Sequence, residues 1–270
     1  MDLVIRPNRC VALTVVDSMG VGGAPDLPYE KGGRPDTSAV SATIKAWGLT
    51  HRRSLPWRTA TTRYLIVVAE ILLQKTVAET AVPVWTWVTT RYPTAPDLAV
   101  ADPIELQSEV AVLGLGSQRV HRLISAANAL VRGSDQVPGI ARYGSGVVAL
   151  ATGDAGGPVP VDTNVARIVS RVWGLSFHRG EARKKPEISA LTASMLAWAP
   201  SAADKLSLLY ALVDLGALVC TSKKPSCSSC PLVDTCCWAR NLSVPSSTRA
   251  ISSASARPSG GGTASETSRI

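Results

Sequence analysis

LYALVDLGALVCTSKKPSCSSCPLVDTC, residues 209–236, joins an apolar helical run to four cysteines, Cys220, Cys227, Cys230 and Cys236, spaced C-x6-C-x2-C-x5-C. Disulfide frameworks belong to small secreted domains, and this chain has 270 residues and no signal-peptide pattern. Four clustered thiolates in a reducing compartment instead point to a metal. Zinc ordinarily takes two CxxC knuckles separated by a longer loop, and only Cys227 and Cys230 form one. Four thiolates within 17 residues also suit an iron–sulfur cluster. On spacing alone both readings stay open, with the cluster favoured. Cys10 and Cys237 fall outside the spacing and read as free thiols.

Working outward, the composition narrows the function classes. Hydrophobic residues make up 46% of the chain, enough for a sizeable core. Lys and Arg outnumber Asp and Glu by 28 to 20, a formal charge of +8, which favours a polyanionic partner such as nucleic acid over a plain basic surface. Asp2, Arg6 and Arg9 interrupt the apolar N-terminus, and LSLLYALVDLGALVC is too short to span a bilayer and carries Asp214. The expectation is a cytoplasmic protein without a membrane segment.

Three stretches follow from composition. Residues 1–38, rich in Gly, Pro and Asp, read as a flexible tail; residues 39–240 carry helical signals; residues 241–270, Ser-, Thr- and Gly-rich, read as disordered. Within the middle, TTRYLIVVAEILLQ (61–74) predicts a helix buried on all sides. VTTRYPTAPDLAVADP reads as a break, followed by a helix that Asp102 caps before Pro103. QRVHRLISAANALV places Val120, Leu123, Ile124 and Ala127 on one face. DTNVARIVSRVWG gives Val165, Ile168, Val169 and Val172 helical spacing and stops at Gly174. Almost nothing alternates with period two, so the fold class is all-α, with two helical lobes and a cleft between them.

Two acids stand out against this background. Glu70 is the only acid between Tyr64 and Leu73, with Ile66, Val67 and Leu73 as its helical neighbours. A buried carboxyl has a raised pKa and suits a general acid, whereas a glutamate at a helix edge has no such role. Asp162 follows the extended PVPV and precedes a helix. It can be an N-cap alone, or a fixed negative charge beside a developing sugar cation. Pro138-Gly139-Ile140-Ala141 makes a turn between helical segments, able to offer backbone N–H groups to a phosphate; alone it is weak evidence.

Taken in order, LPWR (55–58), AEILLQKT (69–76), VLGLGSQRVHRLI (112–124), VPGIARY (137–143), VPVDTNVARIVSRVWGL (159–175) and the 209–236 stretch resemble the helix-hairpin-helix (HhH-GPD) DNA glycosylases. These are the relatives of endonuclease III, adenine glycosylase and the thymine–guanine mismatch glycosylases. The resemblance covers about residues 40–240. It implies a DNA-binding cleft, a helix-hairpin-helix motif and a C-terminal [4Fe–4S] cluster loop held by Cys220, Cys227, Cys230 and Cys236. That cluster shapes a basic loop in the family, here Lys223, Lys224 and Arg240. The resemblance assigns Asp162 to the sugar cation and the attacking water, and Glu70 to departure of the base. Gln74, with Lys75, falls on the segment that probes the gap left by a flipped base. Gly139, Ala141 and Arg142 fall on the phosphate-binding hairpin. Tyr143 occupies the place of the catalytic lysine of bifunctional enzymes, which implies base excision by water without a lyase step.

The resemblance further implies double-stranded DNA with a mismatched or damaged base as partner, and a monomer. Thymine or uracil opposite guanine is the expected target, because GLGSQRVHRL sits nearer the mismatch branch and the cluster is followed by a Ser/Thr-rich tail. Adenine opposite guanine or 8-oxoguanine is the alternative, and a non-catalytic iron–sulfur DNA-binding module is the rival class. A module without chemistry needs neither acid. Ala141 stands where the family's hairpin has a second glycine, and Gly144-Ser145-Gly146 replaces better helix formers at roughly 1 kcal/mol per glycine. VRGSDQ before the hairpin is short, so a weakened hairpin is expected.

Overall fold

A computed structural model describes residues 13–14, 35–60, 62–177 and 181–242. Cys10 and most of the two stretches read as tails lie outside the described residues. Eleven helices and one short strand pair are found among those described: β1 (Leu13–Thr14), α1 (Thr37–His51), α2 (Arg63–Leu72), α3 (Ala78–Arg91), α4 (Ala95–Ala99), α5 (Pro103–Val110), α6 (Gly116–Val131), α7 (Arg142–Ala151), α8 (Thr163–Trp173), β2 (Leu175–Ser176), α9 (Pro186–Ala197), α10 (Ala202–Leu218) and α11 (Cys237–Leu242). β1 pairs with β2 in parallel, Leu13 opposite Leu175. The protein is all-α in class.

Local chemistry sets the helix ends. The Thr62 hydroxyl caps α2 by accepting from the Leu65 amide. α2 then buries seven of its ten residues, Ile66, Val67, Ile71 and Leu72 among them, at roughly 1.5–3 kcal/mol for each large aliphatic side chain. Asp102 caps α5 through the Ile104 amide, as its place before Pro103 predicts. The expected break after residue 88 is narrower than the sequence suggests. α3 runs on to Arg91, and the Thr94–Asp97 capping box starts α4 after Pro93. Gly174 ends α8 in the left-handed region at φ +68°.

The helices pack as two lobes. In one, α6 packs against α2, α4 and α5, and α3 lies along α2. In the other, α10 packs against α1 and α8, with α9 and α11 beside α8. α7 touches both α2 and α10 and so joins the lobes. Gly216 of α10 is required by close approach, since a Cβ there would lie 2.6 Å from the Asn164 Cβ. That contact seats the N-terminus of α8, and Asp162 with it, against the second lobe.

Candidate active site

Between the lobes lies a cleft of about 460 Å³, bounded by Glu70 and Gln74 from the end of α2, Tyr143 from α7, Asp162 and Asn164 at the start of α8, Tyr210 from α10, and Arg58 from the turn before α2. The structure thus brings together Glu70, Gln74, Lys75, Tyr143 and Asp162, which the sequence reading named separately.

Glu70 retains a partly open surface toward this cleft, yet protein surrounds its carboxyl. Burial, with the negative Asp162 adding to it, raises its pKa from 4.5 to about 8. It is therefore protonated near neutral pH. Gly144 makes room for it: a Cβ there would lie 3.1 Å from Glu70 Oε2 and 2.7 Å from Ile140 Cγ2. At Gly146 a Cβ would meet the Pro158 carbonyl oxygen at 2.1 Å. The two glycines of α7 thus permit close packing around the acid, which is why better helix formers are absent from Gly144-Ser145-Gly146.

Asp162 is indeed an N-cap, and it also faces the cleft. Its Oδ1 accepts from the Val165 amide at 2.7 Å and its Oδ2 from Asn164 Nδ2 at 2.9 Å. These donors fix the carboxylate without covering the cleft side. Burial pushes the Tyr143 phenol well above its ordinary value, and Glu70 and Asp162 add to the shift, so the hydroxyl stays neutral. Arg167 ties the Asp162 helix to the cysteine loop, donating from Nη2 to Asn164 Oδ1 and Gly216 O and from Nε to Cys220 O, each at 2.7 Å.

The hairpin lies beside this cleft. Gly139 takes φ +83° in the turn, and no side chain caps α7, whose N-cap is the exposed Ala141 followed by the exposed Arg142. Gln74 is tied to the hairpin. Its Nε2 donates to Gly139 O and its Oε1 accepts from Arg122 Nη1, both at 2.6 Å. Lys75 is exposed and sits at φ +56°, a left-handed residue other than glycine.

Four features escaped sequence reasoning. Asp214 is fully buried in α10 and accepts from Arg53 Nε at 2.7 Å and from Arg58 Nη1 and Nη2 at 2.6 and 2.7 Å. This ion cluster places Arg58 at the cleft, over the Tyr210 ring at 4.7 Å. Arg58 Nε is buried and has no hydrogen-bond partner among the described residues. Like Glu70, Asp214 was signalled as the lone charge in an apolar run, here residues 206–219. Arg119, buried in α6, was signalled by its place four residues before Leu123 on the apolar face. Tyr210 carried no signal of its own.

Cys220, Cys227, Cys230 and Cys236 line one pocket together with Arg171 and Trp238, and none of the four is in a disulfide. Among the described residues, no set of His, Cys, Asp and Glu closes into a single-ion site. A single zinc, bound at about 2.3 Å from each sulfur, would draw the thiolates tightly together. Four free thiols around one pocket fit the donor set of an iron–sulfur cluster. Burial pushes the Cys230 and Cys236 thiols up, and the other cysteines of the set add to it. Cys237, read from sequence as free, is in a disulfide instead.

A carboxyl held protonated beside a capped carboxylate, in a cleft flanked by an uncapped helical hairpin, is a constellation for breaking a glycosidic bond in a polyanion. Residues 68–189 match the HhH-GPD superfamily of base excision DNA repair proteins. The chain is 30% identical over 201 residues to a thymine-DNA glycosylase of Aeropyrum pernix, covering 70% of this chain and 88% of that protein. It is 34% identical over 218 residues to an adenine DNA glycosylase of Mycolicibacterium smegmatis, covering 76% and 71%. The solved structure of a thermostable thymine-DNA glycosylase superposes with a TM-score of 0.64 at 22% identity, covering 76% of this chain and 97% of that one. The chain belongs to the HhH-GPD superfamily of base excision DNA repair glycosylases. Among the described residues no helix is long and apolar enough to cross a membrane.

Proposed function

We propose that the protein is a monofunctional DNA glycosylase that removes thymine or uracil opposite guanine from double-stranded DNA. The observation that carries this reading is Glu70, with its pKa raised to about 8, sharing the cleft with Asp162. Protonated Glu70 donates its proton to the departing base as the bond from sugar C1′ to the base nitrogen breaks, and the bonding electrons leave with the base. The positive charge on the sugar is stabilised by the Asp162 carboxylate. A water then bonds to C1′, its surplus proton passes to Asp162 and on to solvent, and an abasic sugar remains. Solvent restores the proton on Glu70.

Tyr143 supports the absence of a lyase step. A phenol cannot condense with the sugar to a Schiff base, and this one is held neutral. On this reading Gln74 and Lys75, in the turn after α2, fill the space vacated by the base, and Gly139, Ala141 and Arg142 offer the uncapped start of α7 to a phosphate. Cys220, Cys227, Cys230 and Cys236 would hold a [4Fe–4S] cluster. The cluster takes no part in excision on this reading and serves to fold the loop that exposes Lys223 and Lys224. A cytoplasmic monomer organised as tail, 39–240 domain and tail completes the proposal.

Thymine or uracil is favoured because the alignment to the archaeal thymine glycosylase spans 88% of that protein. Uracil is expected to leave at least as readily, since a pocket discriminates one methyl weakly. The mycobacterial adenine glycosylase, at the higher identity of 34%, favours the second reading of adenine excision. Single-turnover excision on duplexes holding T:G, U:G, A:8-oxoguanine, A:G or T:A separates them. Loss of the pyrimidine supports the first reading, loss of adenine the second. Intact bases throughout, with DNA still bound, leave a binding module.

A further inference from the structure

Arg119 has no part in the chemistry outlined above, yet it is among the most thoroughly buried large side chains, 1% exposed. Among the described residues it has no carboxylate partner. Its guanidinium is satisfied instead by six oxygens from two separate segments, the end of α2 with the loop after it and the loop before α6. Nη1 donates to Ile71 O at 3.0 Å and Leu72 O at 2.7 Å, carbonyls at the end of α2 that the helix itself leaves without partners. Nη2 donates to Gln74 O at 3.2 Å, Thr76 Oγ1 at 3.1 Å and Leu113 O at 3.1 Å, and Nε to Gly114 O at 3.3 Å.

The two loops share a second property. Among the described residues, two other than glycine adopt positive φ: Lys75 at 56° and Leu115 at 57°. Each directly follows a carbonyl that Arg119 holds, Gln74 in one loop and Gly114 in the other. Left-handed backbone in a residue with a Cβ is unfavourable and persists where the surroundings over-determine it. A buried cation bonded to the preceding carbonyls is such a constraint. An apolar residue at position 119 would leave these acceptors without their donor and both turns without their common tie.

We propose that Arg119 is a positioning residue for base excision, fastening the Gln74–Lys75 turn and the Leu113–Leu115 turn into one rigid edge of the cleft. The inference rests on the glycosylase reading. A preformed edge matters where a paired base must be extruded and its place filled, and matters little where the base has no partner to leave. Arginine is required because its planar fork supplies five donors, whereas lysine supplies three from a single point and cannot span both loops.

The test compares single-turnover excision by the wild type and Arg119→Lys on two duplexes, one holding U:G and one holding uracil opposite an abasic analogue. Matching duplexes with adenine opposite 8-oxoguanine or the abasic analogue are run in parallel. Arg119→Lys is expected to lose about tenfold or more on the paired base, and to stay within about threefold of wild type on the unpaired one. Thr76→Val, which removes one acceptor and keeps Arg119, is expected to shift the same ratio less, and serves if Arg119→Lys does not fold. Loss by an equal factor on both duplexes, or no loss on either, overturns the positioning role. A wild type that excises neither uracil nor adenine overturns the glycosylase reading itself, and the inference with it.

Discussion

Replacing Glu70 with glutamine separates what this side chain does for chemistry from what it costs the fold. Its pKa is 4.5 ordinarily and about 8 in the folded protein. Between those values the folded protein keeps a proton that the unfolded chain has released. Stability therefore falls as pH rises, by about 1.36 kcal/mol per unit for one proton. The folded value is the raised one, so the loss is absent below pH 4.5 and complete above pH 8. At pH 7 the window crossed is 2.5 units, a destabilisation of about 3 kcal/mol; above pH 8 it is 3.5 units, about 5 kcal/mol. Glutamine has the same shape and no proton to lose. Glu70→Gln is thus expected to match the wild type near pH 4.5, to be about 3 kcal/mol more stable at pH 7 and about 5 at pH 9, while excision falls by about 10²–10⁴-fold. Urea unfolding of both proteins at pH 5, 7 and 9 reads the stability difference, and single-turnover excision reads the rate. A stability difference that does not grow with pH would refute the burial argument, whatever happened to the rate.

Further outcomes follow from the same structure. Asp162→Asn is expected to abolish measurable excision yet leave the melting temperature nearly unchanged, because asparagine caps a helix about as well as aspartate. Asp214→Asn should destabilise the protein by about 3–5 kcal/mol, as urea unfolding would show, by leaving the buried Arg58 guanidinium without a full charge partner while the half-buried Arg53 keeps Glu79. Burial pushes the Asp214 pKa up, but hydrogen bonds from Arg58 and Arg53 outweigh it and the net shift is downward. Its stabilisation is therefore present above the ordinary aspartate range and lost as pH falls through the depressed value, seen as wild-type acid unfolding that the variant lacks. Gly144→Ala should cost about 1–3 kcal/mol and lower excision, because the new Cβ crowds Ile140 Cγ2 and Glu70 Oε2. Cys227→Ser should lose iron by metal analysis and melt at lower temperature, whereas stoichiometric zinc in the wild type would contradict the cluster.

The all-α class and the helices around Glu70 and Asp162 were legible because their signals are local. An apolar run with one acid, and an extended segment ending in Asp before a periodic helix, need no knowledge of partners. The Asp214 cluster was not legible, since Arg53 and Arg58 lie some 160 positions away in sequence and nothing in RRSLPWR states what it pairs with. Gly144 reads from sequence as a weak point of α7 and acquires its reason only when Glu70 is seen packed against it. The run of α3 to Arg91 and the start of α4 were hidden by Pro93 and Pro96, although the Thr94–Asp97 pair is a capping signal in its own right.

Hydrolytic excision by Glu70 and Asp162 leaves an abasic sugar in an unbroken strand, because no lyase step follows. Single-turnover reaction of the wild type, Glu70→Gln and Asp162→Asn on a U:G duplex, with strands analysed before and after alkali and after borohydride, reads both steps at once. The wild type is expected to give a break at the uracil only after alkali and no borohydride-trapped complex, and neither variant a break on the same timescale. Strand cleavage without alkali, a trapped complex, or variants that cut at the wild-type rate would contradict it.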